Sequence, residues 1–223
     1  MTRTTNARIA GFTFLFYIAV AFPSVVLFNR AIGGEAMSAR LSTLALHATD
    51  VRLAVVLTLL GCFSALVLAV TLYALTREQD PDLALLALTF RVGEGVTGAV
   101  TIPSMLGLLA LATATGADVP DSVAAQALGT FALEAAPIPA AFFAVGSTLF
   151  AWLLLRGRMV PVWLAWLGVL GSAVAVVVLP LQLARVLTGP VTQLMWIPVA
   201  VFELVVAVWL IFKGAAMPRS RTD

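Results

Sequence analysis

Residues 53–76 read LAVVLTLLGCFSALVLAVTLYALT, without one charged side chain. At about 1.5 Å per residue a helix of that length spans roughly 36 Å, enough to cross the hydrocarbon core of a bilayer. Five further runs have the same character: 9–28, 83–113, 124–155, 159–183 and 191–212. Short breaks rich in polar residues, Gly or Pro separate them, at 77–82 with Pro81, at 116–122 with Pro120, at 156–158, and at Gly189 with Pro190. Breaks of this length join adjacent antiparallel helices. The reading is an all-α, polytopic membrane helix bundle of six transmembrane helices, forming a single domain over 1–223.

Composition agrees. Of the 223 residues 61% are hydrophobic and 11% are charged, about half the charged share of a soluble domain. The mean hydropathy is +1.06. One His, one Cys and one Lys leave almost no material for a disulfide framework, a multi-histidine metal site or lysine-based covalent chemistry. No cofactor is expected. A pI near 9.2 does not indicate nucleic acid, because the net charge is only +2 and the basic residues are scattered in pairs beside apolar runs.

The first run follows Arg3 and Arg8, as either a signal peptide or a membrane anchor would. Its length of about 20 residues exceeds the 7–15 of a signal core. It ends in Phe28, Asn29 and Arg30 without a small-residue cleavage site, so a retained helix is expected. With the N-terminus inside, that side collects Arg3, Arg8, Arg77, Arg156, Arg158, Lys213, Arg219 and Arg221, against Arg30, Arg40, Arg52 and Arg185 outside. The positive-inside rule then places both termini in the cytoplasm. Trp152, Trp163, Trp166 and Trp209 fall near the proposed inner boundary and Trp196 near the outer one. Residues 30–50 space Met37, Leu41, Leu44 and Leu46 either as a helix lying on the interface or as a polar loop.

Charges inside a bilayer cost at least a few kcal/mol each, so they mark the residues that need partners. Arg91, Glu94, Glu134 and Glu203 are the clear cases, with Arg185 at the outer end of the fifth helix. Glu94 lies roughly 16 Å from the inner start of its run and Glu203 roughly 15 Å from Lys213, both near the midplane. Arg91 precedes Glu94 by three residues, which puts them on one helix face, continued by Gly98 and Thr101. The economical arrangement is a ligand- or proton-binding cluster of Arg91, Glu94 and Glu203. Glu134, Gln182 and Arg185 form a second polar group at the outer rim. Pro137 and Pro139, just inward of Glu134, are expected to bend or break the fourth helix.

The remaining signals are weak. Gly168 and Ser172 make a small-xxx-small pattern for close helix packing, His47 with Asp50 belongs to a solvated loop, and Cys62 is a small buried residue. No internal repeat pairs the intramembrane carboxylates across two halves, as many secondary transporters do. No nucleophile or metal set accompanies the carboxylates, which ranks an intramembrane enzyme third among the functional readings. Binding or sensing of a small or lipid-like ligand comes first, and a small proton- or ion-coupled transporter second. The expected partners are membrane lipid and that ligand, not nucleic acid.

Several short motifs are shared with one family: Ala7-Arg8-Ile9-Ala10-Gly11, Leu72-Tyr73-Ala74-Leu75, Phe90-Arg91 followed by Glu94, the turn from Arg156 to Pro161 running into Leu164 and Gly168, and Phe202-Glu203-Leu204 through Trp209-Leu210 to Lys213-Gly214. Together they resemble the bacterial membrane family called domain of unknown function 4386, over nearly the whole chain. The resemblance implies a small multi-helix protein of the bacterial cytoplasmic membrane that keeps the Arg and Glu at the positions of Arg91 and Glu203. It brings no activity with it. Glu134, Pro137 and Pro139 do not match the family's pattern and rest on the local reading alone.

The charge count generates a direct test. A reporter fused after Asp223 is expected to be active only as a cytoplasmic fusion, and a periplasmic signal would overturn the orientation.

Overall fold

The computed structural model describes residues 1–34, 37–114, 123, 127, 129–130 and 137–218. Among the described residues every regular element is a helix, and six spans are long and apolar enough to cross a membrane. The helices are α1 (Arg3–Ala31), α2 (Met37–Leu46), α3 (Ala48–Thr76), α4 (Pro81–Thr113), α5 (Pro137–Arg156), α6 (Val162–Leu183), α7 (Val191–Leu194) and α8 (Trp196–Phe212). Helix α1 begins six residues before its apolar run and α3 five before, because helical hydrogen bonding continues where the chain leaves lipid. At the start of α3, His47 Nδ1 lies 3.0 Å from Asp50 Oδ2, an exposed contact over the first turn.

The chain divides into two compact units. One comprises Met1–Tyr17, Phe63–Gly95 and Pro137–Asp223, and the other Ile18–Cys62 and Val96–Ala136. In the second unit α2 is a helix, with Leu41 and Leu44 buried against Ala31, Val51, Leu108 and Leu109 while Leu46 stays exposed. Its apolar residues therefore divide between the chain's own core and the surface. Ser24 donates to the carbonyl of Ala54 at 2.9 Å and shares a hydrogen bond with Thr58 at 2.8 Å, joining α1 to α3. Gly98 sits where a Cβ would meet the Cys62 sulfur at 3.1 Å, and Thr101 bonds back to the Gly98 carbonyl at 2.7 Å.

The first unit holds the larger core, built from Ala7, Ala10 and Phe14 of α1, Leu68, Leu72 and Leu75 of α3, Ala84 and Ala87 of α4, and residues of α5, α6 and α8. Its ends are closed by local chemistry. Asp80 caps α4 by accepting the Leu83 N–H at 3.1 Å, with Pro81 in the first helical position, where no N–H is missed. The other Asp80 oxygen pairs with Arg156 at 3.2 Å. Helix α5 ends with Arg158 at φ 49°, and the Met159 N–H returns to the Leu154 carbonyl at 3.0 Å. Helix α6 ends the same way, with Arg185 at φ 55° and the Val186 N–H on Leu181 at 2.9 Å. Both arginines fill a left-handed position usually given to glycine. Arg3 ties the two chain ends together, donating to the Ala216 carbonyl at 2.8 Å and pairing with Glu78 at 3.4 Å, while the Ala216 N–H reaches the Met159 carbonyl at 2.9 Å. The two ends of the described chain, the α3–α4 turn and the α5–α6 turn thus lie together. Trp152, Trp163 and Trp166 are exposed on this unit.

The bend or break expected in the fourth helix at Pro137 and Pro139 borders residues 131–136, which lie outside the described residues; the described part of that helix, α5, runs from Pro137 to Arg156. The expected run at 191–212 is one span, Val191–Phe212, in which the regular helix is interrupted at Met195, where Pro198 has no N–H for the Leu194 carbonyl.

Helices in lipid gain little from hydrophobicity when they meet, so small residues decide where backbones approach. A Cβ on Gly11 would stand 2.6 Å from the Ala207 carbonyl oxygen of α8, and one on Gly171 of α6 would stand 3.3 Å from the Val199 backbone nitrogen. Gly61 of α3 is different, since its Cβ would find nothing nearer than Val20 at 4.0 Å. Gly11→Ala is therefore expected to lower thermal stability in detergent, by about 1–3 kcal/mol as overpacking does. Gly61→Ala is expected to raise it by about 0.5–1 kcal/mol through helix propensity. Equal effects at the two positions would refute the α1–α8 contact.

Candidate functional site

The buried stripe of α8 is Val199, Phe202, Glu203, Val206, Ala207 and Leu210, a helical period that carries one acid among apolar residues. Glu203 therefore faces the interior and not lipid. In α4 the stripe Ala84, Ala87, Arg91 and Glu94 does the same. Arg91 is 1% exposed, and Glu94 and Glu203 are each 5% exposed, so all three are withdrawn from solvent and lipid alike.

Arg91 Nη1 pairs with Glu94 Oε2 at 2.8 Å, the contact that an i, i+3 spacing allows. A longer contact, 3.5 Å, runs from the same Nη1 to Ser147 Oγ on α5. Helix α1 supplies Tyr17, whose hydroxyl donates to Glu94 Oε1 at 2.8 Å. The guanidinium lies 4.8 Å from the Phe143 ring centroid and 5.8 Å from that of Tyr17, both within cation–π range. Gly146 makes room for the arginine stem, since a Cβ there would stand 2.8 Å from Arg91 Cγ. Gly93 likewise admits the ring of Phe142, which lies 5.9 Å from Phe90. Three helices, α1, α4 and α5, thus converge on one cation.

Glu203 completes the group differently. It is within the electrostatic reach of Arg91 and Glu94, but no ion pair to it forms among the described residues. Its Oε1 has no hydrogen-bond partner there, and neither do Nε and Nη2 of Arg91. Buried polar atoms are normally satisfied, and each exception calls for a reason. With both acids ionised the cluster carries one net negative charge.

The family comparison can now be set beside this geometry. The family described as Domain of unknown function (DUF4386) matches residues 9–214. The chain belongs to this DUF4386 family. Every residue that builds the cluster lies inside the matched region. No curated protein and no solved structure matches the chain. The DUF4386 assignment therefore fixes kinship and leaves the chemistry to the residues themselves.

Gln182 is half-buried in the last turn of α6, and Arg185 is exposed in the turn that follows. Glu134 lies outside the described residues. Sequence reasoning missed Tyr17, Phe143, Gly146 and Ser147. Tyr17 did leave a signal, because a tyrosine in the middle of an apolar run needs a partner for its hydroxyl. The other three left none, being small or apolar residues on a helix apolar all round.

Removing one side of a buried ion pair costs about 3–5 kcal/mol, since the other charge is stranded. Arg91→Leu is accordingly expected to destabilise the protein more than any other single Arg→Leu change. The double variant Arg91→Leu with Glu94→Gln should recover much of the loss. Thermal unfolding of the two singles and the double in detergent measures the coupling, and additive losses would show that the pair contributes nothing.

Proposed function

We propose that this protein binds or senses a small or lipid-like ligand through the cluster of Arg91, Glu94 and Glu203, in the bacterial cytoplasmic membrane with both termini inside. The observation that carries the reading is the set of buried polar atoms without a partner among the described residues: Nε and Nη2 of Arg91 and Oε1 of Glu203. A register-fixing ion pair needs only Arg91 and Glu94. It gives no reason to keep a third charge buried with an unanswered oxygen, which costs about 1–3 kcal/mol or more. A ligand that answers those atoms offsets that cost when it binds.

A second reading, a small proton- or ion-coupled transporter, is favoured by one fact: among the described residues a single buried cation is set against two buried carboxyl groups, so neutralising the cluster takes a proton or a further cation. An intramembrane enzyme has no comparable support.

The test uses the full chain in lipid nanodiscs, screened by thermal unfolding against fractions of a bacterial membrane extract. At least one fraction is expected to raise the midpoint of the native chain and to have no effect on Glu203→Leu. Equal response of both proteins to every fraction, or no response at all, would overturn the binding reading. Proton uptake driven by a pH gradient in liposomes, lost in Glu203→Leu, would shift the assignment to transport.

A further inference from the structure

Arg91 divides its five donors unequally. Nη1 is committed to Glu94 at 2.8 Å and leans on Ser147 at 3.5 Å. Nε and Nη2 are without a partner among the described residues. Those two nitrogens lie along one edge of the guanidinium, with parallel N–H bonds, and this edge matches the two oxygens of a carboxylate or phosphate. The rings of Phe143 and Tyr17, with centroids 4.8 and 5.8 Å from the guanidinium carbon, attract the cation without answering either N–H. The close passage of the stem over Gly146 and the pull of Glu94 hold the fork in place before anything binds.

Glu203 has the opposite character. Its unanswered Oε1 is an acceptor, within electrostatic reach of the same arginine. An occupant that satisfied only Arg91 would bring its own negative charge toward Glu203, and one that satisfied only Glu203 would leave the fork bare. The occupant that answers both carries an oxyanion and, beside it, a hydrogen-bond donor. Phe143, buried and 4.8 Å from the guanidinium, sets an apolar ring beside these atoms.

We infer, on the basis of the binding reading above, that the ligand is an apolar acid with an adjacent hydroxyl or amine, its oxyanion held by the Nε/Nη2 edge of Arg91 and its donor by Oε1 of Glu203. The same headgroup chemistry occurs in a water-soluble hydroxy acid and in a hydroxylated fatty acid, and chain length separates these sources.

The experiment measures binding by thermal shift to the full chain in detergent, using propionate, octanoate, 3-hydroxyoctanoate, octanol and octylamine. Octanoate is expected to stabilise, 3-hydroxyoctanoate to bind more tightly, and octanol and octylamine to have no effect. Stabilisation by propionate to the same extent identifies a water-soluble acid, and stabilisation by the eight-carbon acids alone identifies a lipid-derived one. Arg91→Lys keeps the charge beside Glu94 and removes the fork, so octanoate should weaken at least tenfold, as expected for hydrogen bonds to charged groups. Glu203→Leu should abolish the preference for the 3-hydroxy acid while octanoate still binds. The ligand series on the native chain stands without either variant. Octanol acting as well as octanoate, or unchanged affinity in Arg91→Lys, would overturn the oxyanion assignment. A preference retained in Glu203→Leu would overturn the role of Glu203. A membrane fraction that stabilises through Glu203 while no acid does would refute this ligand class and leave the binding reading intact. Failure of both would remove the two together.

Discussion

A guanidinium at 1% exposure in a membrane protein constrains everything around it. Arg91 stands ten residues into α4, roughly 15 Å from the start of that helix, and its side chain does not reach the surface. Its charge is met inside the protein instead. Glu94 gives the counter-charge, two aromatic rings give their faces, and Gly146 gives the space. Tyr17 then follows from Glu94, because a carboxylate with one oxygen turned to Arg91 has a second to satisfy. The cation thus sets which faces of α1, α4 and α5 turn inward within their unit.

What holds that unit together besides the cluster is close packing at small residues. Within lipid an apolar side chain gains nothing by leaving its surroundings for another helix, so contact area and backbone proximity do the selecting. Gly11 against Ala207 and Gly168 against the Phe202 ring are such places, and both touch α8, the helix that carries Glu203. Position and packing of the third charge are therefore consequences of glycines on α1 and α6, neither of which approaches it in sequence. Ser172, fully buried on α6 with its hydroxyl unanswered among the described residues, belongs to the same packed face.

Function follows from what the packing leaves undone. A pair such as Arg91 with Glu94 can be purely structural, since each neutralises the other. The edge of the arginine and the oxygen of Glu203 that find no partner among the described residues are what turn a register device into a candidate binding site. Those atoms are donors on one side and an acceptor on the other, which restricts the chemistry of any occupant more than the surrounding apolar residues do.

The unbroken apolar run at 53–76 and its five companions determined the all-α architecture and the number of spans, because backbone groups in lipid have only the helix to satisfy them. The three-residue spacing of Arg91 and Glu94 determined their pairing for an equally local reason. Tyr17, Phe143, Gly146 and Ser147 were settled only by tertiary structure. In a helix that is apolar on every side no periodic pattern distinguishes the face turned to lipid from the face turned to a buried cation, and the choice is made by shape when the helices meet.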